Sequence, residues 1–179
     1  NDPKCKHTKK KLIEFPTSCP ECGEKFGEFD AETDSPKCSN PDCPSRVKGK
    51  ILNYVRKMKI EMIDYETIST LFDAGFLTSI KDLYKLKKKR DVLVLLPGFG
   101  PRKVDGILNE INFRRRVRGS DLLGSLGING ASKKIFRSVL MMFTMEEILE
   151  FAEKSDMEPF LCIRGIKEKK AVSIISGIN

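Results

Sequence analysis

From about Lys48 onward, apolar positions recur at helical spacing. Ile51, Tyr54, Val55 and Met58 fall on one helix face. Ile68, Leu71 and Phe72 repeat the pattern, as do Val104, Ile107, Leu108 and Ile111. Strand-like alternation is nearly missing, so this part is expected to be all-α and made of several short helices. Before Lys48 the texture differs, with Pro and Cys frequent. The predicted organisation is a linker or the end of an upstream domain over 1–16, a small cysteine-rich domain over 17–46, and a helical domain over 47–179.

The punctuation between the helices is regular. Leu96-Pro97-Gly98-Phe99-Gly100 separates one helix from the next. Leu126-Gly127-Ile128-Asn129-Gly130-Ala131-Ser132 and Cys162-Ile163-Arg164-Gly165-Ile166-Lys167 do the same, and Met62-Ile63-Asp64-Tyr65-Glu66 is the weakest member. With centres at Asp64, Gly98, Gly130 and Gly165 the steps are 34, 32 and 35 residues. That is a four-unit repeat. Each unit reads as helix, glycine turn, helix, the helix-hairpin-helix pattern. Its physics suits phosphate. Glycine permits left-handed backbone and close approach, and the following helix presents unpaired N–H groups at its positive end. Lys134, Lys169 and Lys170 are among the basic residues trailing the turns. The candidate DNA contacts are Gly98, Phe99, Gly100, Arg102, Lys103, Gly130, Ser132, Lys133, Gly165 and Lys167. The basic stretch Arg114, Arg115 and Arg116 joins them, either as a phosphate-gripping patch or as a helix end that favours cations. Lys87-Lys88-Lys89-Arg90 reads as a solvated loop. The centre Asp64-Tyr65-Glu66 lacks glycine and carries two negative charges, so it is expected to be structural. Contacts of this kind hold the backbone, not bases, and predict binding without sequence preference.

Charge sharpens this picture. The 179 residues carry a formal net charge of +8. Residues 1–60 hold 13 basic and 9 acidic side chains, residues 61–119 hold 12 and 8, and residues 120–179 hold 8 and 8. Attraction to a polyanion is therefore expected in the first two thirds, with nucleic acid the default partner. Excess Lys serving solubility alone is the competing explanation. With one His and no Trp, a His-based active site or a multi-His metal site is not expected. No apolar run of about 18 residues occurs, which excludes a membrane-spanning helix, and no signal-peptide pattern opens the chain.

The cysteines supply the candidate chemistry. Cys19-Pro20-Glu21-Cys22 is followed by Gly23, and Cys38 and Cys43 enclose four residues. Fifteen residues separate the two pairs. Zinc takes four tetrahedral ligands and favours thiolates in structural sites. Two short Pro- and Gly-bracketed knuckles joined by a hairpin would close such a site with Cys19, Cys22, Cys38 and Cys43. A redox pair would want a helix directly after its C-x-x-C, which Pro20 and Gly23 oppose. Cys5 and His7 form a conceivable extra ligand pair on a basic terminus, and Cys162 reads as a small buried hydrophobe.

These motifs in this order resemble the carboxyl-terminal region of the bacterial-type NAD-dependent DNA ligases, as a divergent member. The stretches that carry the resemblance are Pro16–Gly23, Cys38–Pro44, Asp82–Leu86, Leu96–Gly100, Leu122–Ile128, and Gly165-Ile166 with Ala171, Ser173 and Ile174. Together they run from about residue 12 to 179. The resemblance implies a mostly α fold, with a four-cysteine zinc finger leading into a four-unit helix-hairpin-helix domain. It implies zinc on the four cysteines and hairpin glycines Gly98, Gly100, Gly130 and Gly165 facing phosphates. It implies duplex DNA, nicked in the ligase reaction, as partner, in an intracellular setting. Adenylation and NAD belong to other domains of the family, which lie upstream or on a separate subunit. In the resemblance, residue 1 would lie near the end of an oligonucleotide-binding barrel, so the chain reads as a fragment or a separate subunit. Ser132 and Lys167 depart from the family's second glycine, as does the centre at Asp64, which weakens the expected contact there.

Lys103-Val104-Asp105-Gly106 matches the family's nucleophile motif. The residues around it read as an amphipathic helix, and the 73 residues that follow are too few for a nucleotidyltransferase sheet domain. This stretch is therefore expected to be non-catalytic. Two other functions fit the same features: a stand-alone DNA repair or recombination scaffold, and a protein-interaction module built on the helical repeat.

Overall fold

A computed structural model describes residues 16–30 and 35–179. The chain divides into two compact units, 1–46 and 47–179. The expected linker over 1–16 lies almost wholly outside the described residues, as do Cys5 and His7.

In the first unit, β1 (Phe26–Asp30) pairs antiparallel with β2 (Ser35–Cys38). Phe26 stands opposite Cys38 and Asp30 opposite Ser35, with an irregularity between Phe26 and Phe29. An isolated bridge joins Ser18 to Lys25. Helix α1 (Pro44–Lys57) starts in this unit but lies mostly in the helical one; it begins with proline, whose missing N–H costs nothing in a first turn.

Among the described residues, nine further α-helices follow in the helical unit: α2 (Tyr65–Asp73), α3 (Ile80–Leu83), α4 (Arg90–Leu93), α5 (Pro101–Phe113), α6 (Gly119–Ser125), α7 (Lys133–Met142), α8 (Met145–Glu153), α9 (Glu158–Leu161) and α10 (Glu168–Ile178). A 3₁₀ turn at Leu86–Lys89 precedes α4. The anticipated loop at Lys87–Arg90 is instead wound throughout, because the 3₁₀ turn runs straight into α4, although Lys87, Lys88 and Lys89 stay exposed. Caps fix several starts. The Asp82 carboxylate accepts from the N–H groups of Ser79 and Thr78 at 3.0 and 3.2 Å. Glu147 accepts from the Thr144 N–H at 2.7 Å, while the Thr144 hydroxyl accepts from the Glu147 N–H. These side chains satisfy donors that a helix start leaves open.

The apolar stripes read from the sequence bury in two cores, although Phe72 and Leu108 are half-buried and Leu126 packs against both. Ile51, Tyr54, Val55, Ile68, Leu71, Phe99, Val104 and Ile107 belong to the first. Leu123, Phe136, Val139, Ile148, Phe160, Ile166, Ala171 and Ile174 belong to the second. Phe151 ties the second together, edge-on to both Phe143 and Phe160 with centroids 5.2 and 6.0 Å apart. Four repeats therefore form two pairs, each with its own interior. Helix α1 bridges the pairs: Lys57 Nζ donates to the Gly124 carbonyl at 3.2 Å, and Asn53 lies where a Cβ on Gly127 would meet it at 2.8 Å. Cys162 departs from expectation and is exposed. α9 ends at Leu161, and Phe160 and Ile163 take the core positions on either side.

Candidate metal centre and nucleic-acid interface

The first unit gathers four sulfurs. The Cys19 N–H donates to the Glu24 carbonyl at 2.7 Å and the Gly23 N–H to the Cys19 carbonyl at 2.8 Å. Gly23 closes this turn with φ +72°, a left-handed backbone that glycine adopts freely. On the other side the Cys43 N–H donates to the Asn40 carbonyl and the Asp42 N–H to Asn40 Oδ1. Arg46 donates to the carbonyls of Cys38 and Ser39. The two knuckles bring Cys19 Sγ to 3.8 Å from Cys43 Sγ and Cys22 Sγ to 3.5 Å from Cys38 Sγ. All four sulfurs lie within 4.8 Å of one another.

That set can hold a metal ion. A disulfide needs sulfurs about 2.05 Å apart, much closer than these. Four thiolates about 2.3 Å from a tetrahedral ion stand about 3.8 Å from each other, which matches the observed pairs. Backbone N–H groups of Cys22 and Glu21 lower the Cys19 pKa to about 7, whereas burial raises that of Cys38 to about 12. Four adjacent thiolates repel, and a divalent cation is the group that permits all four to deprotonate.

In the helical unit the four turns share the backbone form of their N-cap. Asp64, Gly100, Ser132 and Lys167 are the N-caps of α2, α5, α7 and α10. Each N-cap carbonyl accepts from the N–H four residues on, at 3.0–3.1 Å. The residue before each cap, Ile63, Phe99, Ala131 or Ile166, is buried. This geometry corrects the register of the first repeat. Asp64 stands opposite Gly100, not opposite Gly98. The true members of the first turn are Met62, Ile63 and Asp64, two residues earlier than the expected centre.

The register explains the degenerate letters. Gly98, Gly130 and Gly165 have φ of +76°, +71° and +90°. The second position has φ from −71° to −113° and an extended ψ, which any residue accepts. The cap therefore tolerates Ser132, Lys167 and Asp64 without strain, and only the first glycine answers a backbone need.

The predicted contact residues divide by placement. Gly98, Gly100, Arg102, Gly130, Ser132, Lys133, Gly165 and Lys167 are exposed around three helix starts. Phe99 is an inward anchor, 3% exposed, under the second turn. Lys103 is half-buried, with its ammonium 4.5 Å from the centre of the Phe99 ring. Lys133 is paired with Asp121. Arg114 is the C-cap of α5 and lies over the Phe113 ring. Arg115 donates to the Tyr84 carbonyl at 3.5 Å and lies over its ring, while Arg116 is exposed. The Lys103–Gly106 motif is taken up by packing: Asp105 accepts from Arg90 through both oxygens at 2.6 and 2.8 Å, and Met62 lies against Gly106. Lys170, expected only as one of the basic residues trailing the fourth turn, touches two turns. Its ammonium donates to the Gly165 carbonyl at 2.7 Å and its stem lies along Gly130.

The observed boundary also relocates the charge. Residues 1–46 hold 8 basic and 9 acidic side chains, residues 47–119 hold 17 and 8, and residues 120–179 stay balanced. The excess belongs to the first helical pair and not to the cysteine-rich unit. Among the described residues, no helix is long and apolar enough to cross a membrane.

No family model matches the chain. Individual relatives do. A DNA ligase of Leptospira interrogans is 33% identical over 162 residues, and one of Halalkalibacterium halodurans is 31% identical over 165. A DNA ligase of Bacillus subtilis is 29% identical over 168 residues. These matches cover 88%, 90% and 93% of the chain. The chain spans about a quarter of the length of each relative, 24% in all three. It is a homologue of one segment of these DNA ligases.

Proposed function

We propose that this homologue of a DNA ligase segment clamps duplex DNA for a bacterial-type NAD-dependent ligase. The residues 17–46 form a zinc finger on Cys19, Cys22, Cys38 and Cys43, and the residues 47–179 form a helix-hairpin-helix domain. Zinc supplies a structural cross-link there, since four thiolates leave no open coordination position. The domain binds backbone phosphates without reading sequence, at an intracellular nick. Adenylation and NAD chemistry belong to another domain or subunit.

One observation carries this reading. Three exposed turns each place a left-handed glycine just before the start of a helix of ten or more residues. Each such start offers open N–H groups and the positive end of a dipole. Arg102, Lys134, Lys167 and Lys169 stand exposed on or beside those starts. The packing of Lys103 and Asp105 supports the non-catalytic assignment of their motif.

The test is duplex binding across a salt series, on nicked and intact DNA of two unrelated sequences. Expected are equal affinities for the two sequences and a linear fall of log K with log salt. Absence of binding at low salt would overturn the proposal.

A further inference from the structure

The four turns differ in what occupies their donors. Met62 stands where the other turns have Gly98, Gly130 and Gly165, and it is not in the left-handed region. Its backbone N–H is engaged: it donates to Glu110 Oε2 at 2.9 Å. Glu110 sits on α5, ten residues beyond the N-cap Gly100. The same position on α10, counted from the N-cap Lys167, is Gly177. It has no side chain to offer the third turn, and Ile128 packs against it instead.

A second carboxylate works beside the first. Asp64 accepts from the Thr67 N–H at 2.7 Å and so fills a donor at the start of α2. Its other electrostatic neighbour is Lys103, three residues past the α5 cap. The counterpart on α10 is Lys170, which borders the open glycine of the third turn. The lysine that flanks a glycine turn in the second pair flanks a carboxylate in the first.

We infer that Glu110 and Asp64 are built-in stand-ins for phosphate: they occupy the first turn and exclude DNA from it. The chain then grips DNA through three turns, not four. This inference rests on the phosphate reading of the other turns.

Two measurements on the full chain test it. Amide exchange reports the lock: Glu110→Ala should speed exchange at Met62 by about tenfold, the worth of one hydrogen bond. Glu110→Gln keeps an acceptor and should leave Met62 protected. Unchanged exchange in Glu110→Ala overturns the lock. Duplex binding reports the vacancy: Asp64→Ser with Glu110→Ala should steepen the salt slope by about 0.9, one added phosphate, and raise low-salt affinity. Serine at position 64 retains a good helix cap. Glu146→Gln with Glu153→Gln makes the same charge change on α8 and should leave the slope alone. A slope no steeper than this control's overturns the inference. Absence of salt-dependent binding by the wild-type chain would instead overturn the phosphate reading, with Met62 exchange still judging the lock.

Discussion

Gly98 and Gly100 are two residues apart in one turn, yet alanine should affect them in opposite ways. Gly98 has φ +76°, and a Cβ at this position would meet nothing within 4 Å. The penalty is thus backbone strain alone, about 1–2 kcal/mol for an L residue in the left-handed region. A stiffer unfolded chain returns about 0.4–1 kcal/mol, so Gly98→Ala should lose roughly 0.5–1.5 kcal/mol. Gly100 has φ −71° and ψ 163°, also with open space around it. Gly100→Ala carries no strain and should gain about 0.4–1 kcal/mol. Each kcal/mol moves the melting temperature by about 2–4 °C at this size. Thermal melts followed by circular dichroism should therefore place Gly98→Ala below the wild type and Gly100→Ala at or above it. Binding should not follow that order. Both methyl groups project from an exposed turn at the point where backbone must approach phosphate, and a charge-assisted hydrogen bond is worth about 1.5–3 kcal/mol. Each variant should lose about tenfold or more in duplex affinity. Equal destabilisation by the two substitutions would refute the register of the turn. Unchanged affinity in both would refute the turn as the contact.

Metal analysis should find one zinc per chain, lost on chelation and in Cys22→Ser. Because the helical unit has its own cores, its far-UV signal should survive that loss. Asp82 is held far below the ordinary carboxylate range by the Lys85 ammonium and by Ser79 and Thr78. A depressed folded pKa stabilises fully above the unfolded value of about 3.9 and is lost as pH falls below it. Asp82→Asn should therefore lower the urea midpoint at neutral pH, and that penalty should shrink in acid; a constant penalty would contradict the ion-pair account. Incubation with labelled NAD should leave no adenylate on the chain, and a label abolished by Lys103→Ala would overturn the non-catalytic assignment.

The helical stripes and the cysteine knuckles were legible because both are local. A 3.6-residue period needs only neighbours on one face, and a C-x2-C loop brings two sulfurs together by turn chemistry. The first turn was misread because its glycine is gone. Without that letter, Asp64 and Tyr65 looked like a degenerate centre. The hydrogen bond from Thr67 to Asp64 instead marks Asp64 as a cap, a pattern in which Asp before an apolar run gives the signal. Glu110 could not be read from the chain, since its partner Met62 is 48 positions away. The same holds for the division into two cores, because all four repeats have similar periods and only contacts across the chain decide which turns share an interior. Cys162 failed for a local reason: flanking Leu161 and Ile163 suggested burial, but a helix that stops at Leu161 changes which side faces inward.

The division of charge gives the two pairs unequal parts in the proposed binding. Residues 47–119 carry 17 basic against 8 acidic side chains, yet one of their two turns is filled by the chain's own carboxylates. Residues 120–179 are balanced, yet both of their turns hold left-handed glycines at exposed helix starts. Attraction at a distance depends on net charge and is screened over about 10 Å at 0.1 M salt. Contact at a turn depends on local donors and acts only when phosphate arrives. Under the phosphate reading, the charge of the first pair speeds the capture of duplex, and the glycine turns of both pairs hold it. That separation explains how a balanced segment can share in binding a polyanion. It also explains why carboxylates can sit among the basic residues of the first pair: they remove one contact while leaving the surrounding positive field dominant.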